Sequence, residues 1–221
     1  MPSEKLASSD IAEEAGVAPR AAGYTIVLPP AWRKIPVRDG TDKAIREIVD
    51  EVFAELPKNV PRDRMTPYRI ELGRQLADAA RKARRNGGTE LYLPVQLQRG
   101  TLITASFVVS EGPADAAEEP AGVDPAQVAE LLAARSEGGR PVTVDGAIGA
   151  RTERTAPPDE STGAVHGSRH VDYVLSVPGE ASRWLVIAFS ALSAGDPDDK
   201  FAKLLVELFD AMIATFRWTR R

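Results

Sequence analysis

The sequence contains no cysteine, and this absence excludes several kinds of site. Without thiols the chain forms no disulfide, no thiolate metal centre and no cysteine nucleophile. Long apolar runs are also absent, since no segment approaches the roughly 18 apolar residues that a membrane-spanning helix needs. Residues 1–23 include acidic residues and no apolar run, unlike a secretory signal. We therefore expect a cytoplasmic location without membrane insertion.

Neither sign of charge dominates the chain. The chain has 28 Lys and Arg residues and 32 Asp and Glu residues, so its formal net charge is −4 at pH 7. No overall field would recruit nucleic acid or an anionic membrane, so we expect no nucleic-acid partner. A length of 221 residues, 43% of them hydrophobic, allows a sizeable core.

Several motifs of enzymes are missing as well. The sequence has no Gly-x-x-x-x-Gly-Lys or Gly-x-Gly-x-x-Gly loop to hold phosphates. It has no Gly-x-Ser-x-Gly turn to present a serine nucleophile. GAIGAR, from Gly146 to Arg151, is too short a match to indicate a phosphate site. We expect no cofactor and no catalytic residue.

The stretch HGSRHVD contains both histidines of the chain, His166 and His170, together with Asp172. His166 falls in a polar loop, whereas His170 and Asp172 fall on a strand and share one of its faces. A metal site would need a third strong ligand, which the neighbouring sequence does not supply. Ser168 is close to His170, but neighbours in sequence seldom form a catalytic triad. We predict that no metal binds here.

Two clusters of charge have an ordinary structural explanation beside a functional one. Asp196, Asp198 and Asp199 lack the spacing of a calcium loop, and capping of the following helix accounts for them. Residues 62–85 contain eight Lys or Arg and three Asp or Glu. Arg74, Arg81 and Arg85 can lie along one helix face and bind a partner. Glu71 before Arg74 is equally typical of a solvated helix.

The hydrophobic periodicity predicts an α+β fold with a mainly antiparallel sheet flanked by helices, an α/β/α sandwich. Helices are predicted near residues 41–57, 66–86, 123–139 and 195–218. The last carries an apolar stripe from Phe201 to Phe216 and should pack on the sheet. Residues 1–22 are predicted to be a flexible tail before one α+β domain at 23–221, which includes a helical insertion at 41–86.

Some predictions concern single elements. Residues 24–28 and 35–37 would form a hairpin with Trp32 near its tip. Thr41 or Asp42 would cap the first helix. Thr66 would cap the second, with Met65 and Ile70 as a hydrophobic staple.

Two end pieces resemble the PsbP-like superfamily. They are YTIVLPPAWRKIPV near the start and the series YVLSV, WLVIAFSAL and the final long helix ending in ATFRW. The resemblance covers residues 24–37 and 170–218. It implies an antiparallel sheet between helices and an accessory or binding role, although the helices between Thr41 and Asn86 depart from it. It transfers no functional residue.

From these observations we expect a non-catalytic adaptor or chaperone-like accessory protein that contacts a protein partner through its surface. The candidate partner-binding residues are Arg74, Arg81, Arg85 and Trp32. The alternative is a small-ligand-binding protein or hydrolase with a pocket near Trp32, Trp184 and His170. A homo-oligomer is possible under either interpretation.

Overall fold

The computed structural model describes most of the chain. The described residues are 20–55, 62–96, 103–112, 124–158, 166–193 and 199–220. Asp196, Asp198 and the first nineteen residues of the predicted tail lie outside them.

Four helices and nine strands make up the described part of the chain. The helices are α1 (Thr41–Ala54), α2 (Arg62–Arg85), α3 (Pro125–Ala134) and α4 (Lys200–Ala214). The strands are β1 (Ala21–Thr25), β2 (Trp32–Pro36), β3 (Gly88–Pro94), β4 (Ala105–Gly112), β5 (Arg140–Val144), β6 (Ala147–Ala156), β7 (Gly167–Val177), β8 (Glu180–Ser193) and β9 (Arg217–Arg220).

Seven of these strands form one sheet in the order β2-β3-β4-β8-β7-β6-β5, and β1 pairs with β9 in a second, two-stranded sheet. Every pairing between described strands is antiparallel. The α+β expectation is therefore confirmed, and so is the docking of the C-terminal helix on the sheet.

Strand β8 lies at the centre of the sheet because both of its faces are apolar. Leu185, Ile187 and Phe189 point towards α4 and are buried there. Val186 and Ala188 alternate with them and point to the opposite face.

Helix α4 covers one face of the sheet. Asp199 caps it by accepting a hydrogen bond from the Phe201 N–H at 3.0 Å, as predicted for this aspartate. Phe209 is completely buried and stacks on Phe189, with ring centroids 4.6 Å apart. Phe107 and Tyr173 contact the same ring from neighbouring strands. This aromatic cluster is the centre of the main hydrophobic core.

The opposite face is covered at its two ends. Helices α1 and α2 pack on β2, β3 and β4, where a second core contains Ile35, Leu91, Ile48 and Leu76. Helix α3 packs on β5 and β6 at the other end of the sheet. Between these two covers, β6, β7 and β8 border an open cleft.

The end strands differ from the predicted pattern. β1 does not form a hairpin with β2, since β1 pairs with β9 and β2 pairs with β3. Pro29 and Pro30 lie between them, and neither can donate a backbone hydrogen bond to a ladder. The predicted helix end is also wrong: α4 stops at Ala214, and Arg217 to Arg220 form β9 instead. Phe216 is nevertheless buried, stacked on Tyr24 at 5.2 Å.

Two predicted caps are wrong. Gly40, with φ 79°, occupies the N-cap of α1, and the Thr41 hydroxyl donates to the Pro36 carbonyl instead. Helix α2 begins at Arg62, so Pro67 lies inside it. Ile70 is 67% exposed and therefore forms no staple with Met65. Leu76, Ala80 and Ala83 form the buried face of α2.

The described part of the chain begins slightly before the predicted domain boundary. Arg20 is the first described residue, and β1 already begins at Ala21. The Ala21 N–H donates to the Pro178 carbonyl at 3.2 Å, and Ala21 is paired with Arg220.

Candidate binding cleft

The cleft between the helical covers has a volume of about 960 Å³ and opens to solvent. Its floor is the face of β6, β7 and β8 that points away from α4, and includes Thr152, Asp172, Val174 and Val186. Its wall is the C-terminal turn of α3 and the residues after it. Leu132, Arg135, Ser136, Glu137 and Gly138 supply this wall.

The strand register arranges the floor in rows. Val174 lies opposite Val186, so one row of the floor is apolar. Asp172 lies opposite Ala188 and Thr152 in the next row. His170 lies opposite Arg154 and Ser190 in the row after that. Successive rows on one face are roughly 6.6 Å apart along a strand.

Asp172 is half-buried and accepts no hydrogen bond from any described residue, although it faces the cleft. Burial raises the pKa of its carboxyl group, and the Arg154 guanidinium only partly offsets this effect. Desolvation of a carboxylate without hydrogen-bond partners is unfavourable. The cleft therefore contains an acceptor whose needs are met by solvent or by a bound molecule.

Arginines line the same cleft as this carboxylate. Arg154 is exposed at the rim and forms no ion pair within the described part of the chain, and the same is true of Arg135. Burial lowers the pKa of His170, and the charge of Arg154 lowers it further. The imidazole is therefore mainly neutral at pH 7, so the arginines supply the positive charge here.

Ser168 and His170 approach each other, with 2.8 Å between Ser168 Oγ and His170 Nε2. This contact is one element of a serine–histidine catalytic pair. In the described residues no carboxylate forms a hydrogen bond with the imidazole, which a triad requires to orient its base. The two side chains are also neighbours on a single strand.

A second charged cluster lies on the α4 side of the sheet and has a structural role. Arg151 is buried and forms two hydrogen bonds with Asp210 of α4, at 2.9 and 3.0 Å. Arg151 also binds Glu153, and Tyr173 donates to Asp210 at 2.8 Å. Burial raises the pKa of Tyr173 to about 12, with a further contribution from this hydrogen bond. The cluster fastens α4 to β6 and β7.

The basic residues predicted on α2 lie on an exposed helix surface. Arg74 pairs with Glu71 at 2.7 Å and with Asp78 at 3.0 Å, and Arg81 also pairs with Asp78. The hydrogen bond from Arg74 lowers the pKa of Glu71 to about 2. Arg85 is exposed at the end of the helix. Intrahelical partners thus neutralise much of this predicted surface.

The remaining predicted residues do not come together. Trp32 is 3% exposed and belongs to the core under α4, so its indole is not available to a partner. His170 points to the opposite face, and Trp184 is buried two residues before Val186. The predicted pocket near Trp32, Trp184 and His170 is therefore not formed, because the sheet separates Trp32 from His170.

Two further findings concern metal ligands and membrane-spanning helices. His166 is exposed, and the described residues include no group of three His, Asp or Glu side chains that could hold a metal ion. In the same part of the chain, no helix combines the length and apolar character needed to cross a bilayer.

Sequence reasoning named Asp172 only beside the histidines, as part of a metal site that it rejected, and did not predict the cleft around it. A signal was present, because Asp172 interrupts the strongly apolar strand HVDYVLSV. Arg135 and Arg154 had no such signal, since their approach to Asp172 depends on where α3 packs and on the register of β6 and β7.

Comparisons with known proteins show only a distant structural likeness. No protein-family model matches the chain, and no curated protein matches it. One similar solved structure is LpqN of Mycobacterium tuberculosis, described as involved in cell envelope biogenesis. It is 12% identical, with a TM-score of 0.45, and the match covers 90% of this chain and 86% of that one. The PsbP-like resemblance is not confirmed.

Proposed function

We propose that the protein is a non-catalytic accessory protein that binds a protein partner in the cleft between α3 and the sheet. The observation that carries this proposal is the half-buried Asp172, which has no described hydrogen-bond partner in an open cleft of about 960 Å³. A partly desolvated carboxylate in an open cleft gains hydrogen-bond donors when a partner binds there, and this gain favours a binding role.

The cleft is a better candidate than the basic surface of α2. On α2, Arg74 and Arg81 already have carboxylate partners on their own helix. In the cleft, Arg135 and Arg154 form no ion pair within the part of the chain that the structure describes. Leu132, Val174 and Val186 add apolar surface. Charged groups beside apolar surface are typical of protein interfaces. The proposal keeps the cytoplasmic location expected from the sequence.

Hydrolysis is the second candidate function, and the contact between Ser168 and His170 is the observation that favours it. It ranks below binding because the described residues provide no carboxylate to orient the imidazole. Replacement of Ser168 by Ala separates the two functions: a serine hydrolase would lose its activity on ester substrates, whereas a binding protein would keep its partner.

The binding proposal is tested by affinity capture from the native host with mass spectrometry. Thr152→Trp places an indole on the cleft floor and should remove the captured partner. The matched control replaces Arg74, Arg81 and Arg85 together by Gln and should retain it. Capture by Thr152→Trp, combined with loss in the triple variant, would move the interface to α2 and contradict the proposal.

A further inference from the structure

The row next to Asp172 suggests how a ligand side chain reaches this carboxylate. Val174 and Val186 form an apolar pair one row away, and Leu132 of α3 lines the same cleft. A long side chain can lie on this apolar strip with its polar end beside Asp172. Lysine has this character, since its methylene stem packs on apolar surface while its ammonium group donates up to three hydrogen bonds.

Opposite charge is available on the other side of Asp172. Arg154 lies one row along and one strand across, and neither it nor Arg135 forms an ion pair among the described residues. In an extended peptide, residues i and i+2 project on the same side, about 6.8 Å apart. This spacing is close to the distance between rows of the floor, so an acidic residue two positions from the lysine can reach Arg154.

We infer that the cleft binds an extended segment of a partner protein that contains Lys-x-Glu or Lys-x-Asp, with the lysine ammonium on Asp172 and the acidic group on Arg154 and Arg135. This inference rests on the proposed function, since it specifies the part of the partner that enters the same cleft. The charges of the cleft are complementary to those of such a segment and therefore favour it. An uncharged apolar segment would leave Asp172 buried and unpaired.

The test uses the purified full chain and a blocked peptide, acetyl-Ala-Lys-Ala-Glu-Ala-amide, in a titration followed by amide chemical shifts in NMR. Shifts should concentrate at Thr152 to Arg154 and at Asp172 to Val174. Two matched peptides replace lysine by norleucine, which keeps the stem, or glutamate by glutamine. Each should bind at least about tenfold more weakly, as expected for loss of a charge-assisted hydrogen bond.

Variants of the protein assign each charge to its partner. In Asp172→Asn the lysine and norleucine peptides should bind equally, and in Arg154→Gln the glutamate and glutamine peptides should bind equally. Arg81→Gln on α2 is the control and should leave all differences unchanged. This cycle separates specific pairing from general electrostatic attraction, under which Arg81→Gln would change the peptide affinities as much as Arg154→Gln does.

Two results would overturn the inference. One is equal affinity of the lysine and norleucine peptides for the unmodified protein. The other is tighter binding of an unblocked Ala-Ala-Glu-Ala-amide, which would assign Asp172 to a free chain terminus. If either occurs while Thr152→Trp still loses the captured partner, the cleft remains the interface and only the lysine assignment fails. If Thr152→Trp also retains the partner, the proposed function fails with it.

Discussion

Helix α4 covers one face of the seven-stranded sheet with a continuous apolar contact, whereas the other face is covered in two separate pieces. Under α4, aromatic rings from three strands surround the fully buried Phe209. On the other face, α1 and α2 form one core with β2, β3 and β4, and α3 packs at the far end. The gap between the two covers is the cleft.

We expect the face under α4 to contribute mainly to stability and the face with the cleft to contribute mainly to binding. Continuous burial of apolar surface stabilises a fold, since free energy scales with the area removed from water. A gap in the cover leaves polar side chains such as Asp172 partly desolvated without fixed partners. We expect substitutions on the α4 side to affect folding, and substitutions in the cleft to affect binding with little loss of stability.

The largest effect is expected from Leu205→Ala combined with Phe209→Ala. Both side chains belong to α4 and are buried against the sheet. Truncation of a buried Leu or Phe typically costs about 2–5 kcal/mol. Total stability for such a domain is about 5–15 kcal/mol, so the double variant should be largely unfolded. Chemical denaturation measures this, with Leu204→Ala as the control because Leu204 is 56% exposed. An unchanged midpoint in the double variant would show that α4 does not stabilise the domain.

The ion pair between Arg151 and Asp210 should have the next largest effect. Asp210→Ala leaves the guanidinium of Arg151 buried without its main partner, a change that typically costs up to about 3–5 kcal/mol. The 28% exposure of the Asp210 side chain reduces this loss. Arg151→Met combined with Asp210→Leu should cost less than Asp210→Ala alone. A larger loss in the double variant, again measured by denaturation, would contradict this account of the pair.

The contact between the two sheets gives a smaller expected effect. The Tyr24 hydroxyl donates to Glu90, which also accepts from Tyr92 at 2.7 Å. Burial alone would raise the pKa of Glu90, but these hydrogen bonds hold it below its ordinary value. Tyr24→Phe should therefore cost about 1.5–3 kcal/mol at pH 7.

The pH dependence checks the assignment of this contact. Because the pKa of Glu90 is lowered in the folded state, its contribution is present above pH 4.5 and is lost as the pH falls through the lowered value. The difference in unfolding free energy between Tyr24→Phe and the parent should shrink in acid. A difference that stays constant with pH would show that the ionised carboxylate of Glu90 is not responsible for the loss.

Removal of the N-terminal residues should have the smallest effect on stability. A chain that begins at Arg20 retains β1, whereas one that begins at Gly23 loses Ala21, its pairing with Arg220 and its hydrogen bond to Pro178. A single hydrogen bond contributes about 0.5–1.5 kcal/mol. The shorter chain should melt a few degrees lower, and equal melting temperatures would restore Gly23 as the domain boundary.

The sequence predicts features that depend on neighbouring residues better than features that depend on contacts between distant residues. The buried stripe of α4 and both apolar faces of β8 could be predicted because periodicity reports burial directly. The pairing of β1 with β9 could not, since it joins residues almost two hundred positions apart. The residues that line the cleft could not be predicted either. Strand register places Arg154 near Asp172, and the position of α3 places Arg135 in the same cleft.

Asp172→Asn tests the separation of stability from binding most directly, because the two properties should change in opposite directions. Burial raises the pKa of Asp172, so its ionised form lowers stability at pH 7, and this cost disappears as the pH falls through the raised value. The variant should have a higher melting temperature at pH 7, a smaller gain at pH 4, and weaker capture of the partner. A lower melting temperature at pH 7 together with unchanged capture would show that Asp172 supports the fold, and would contradict the account.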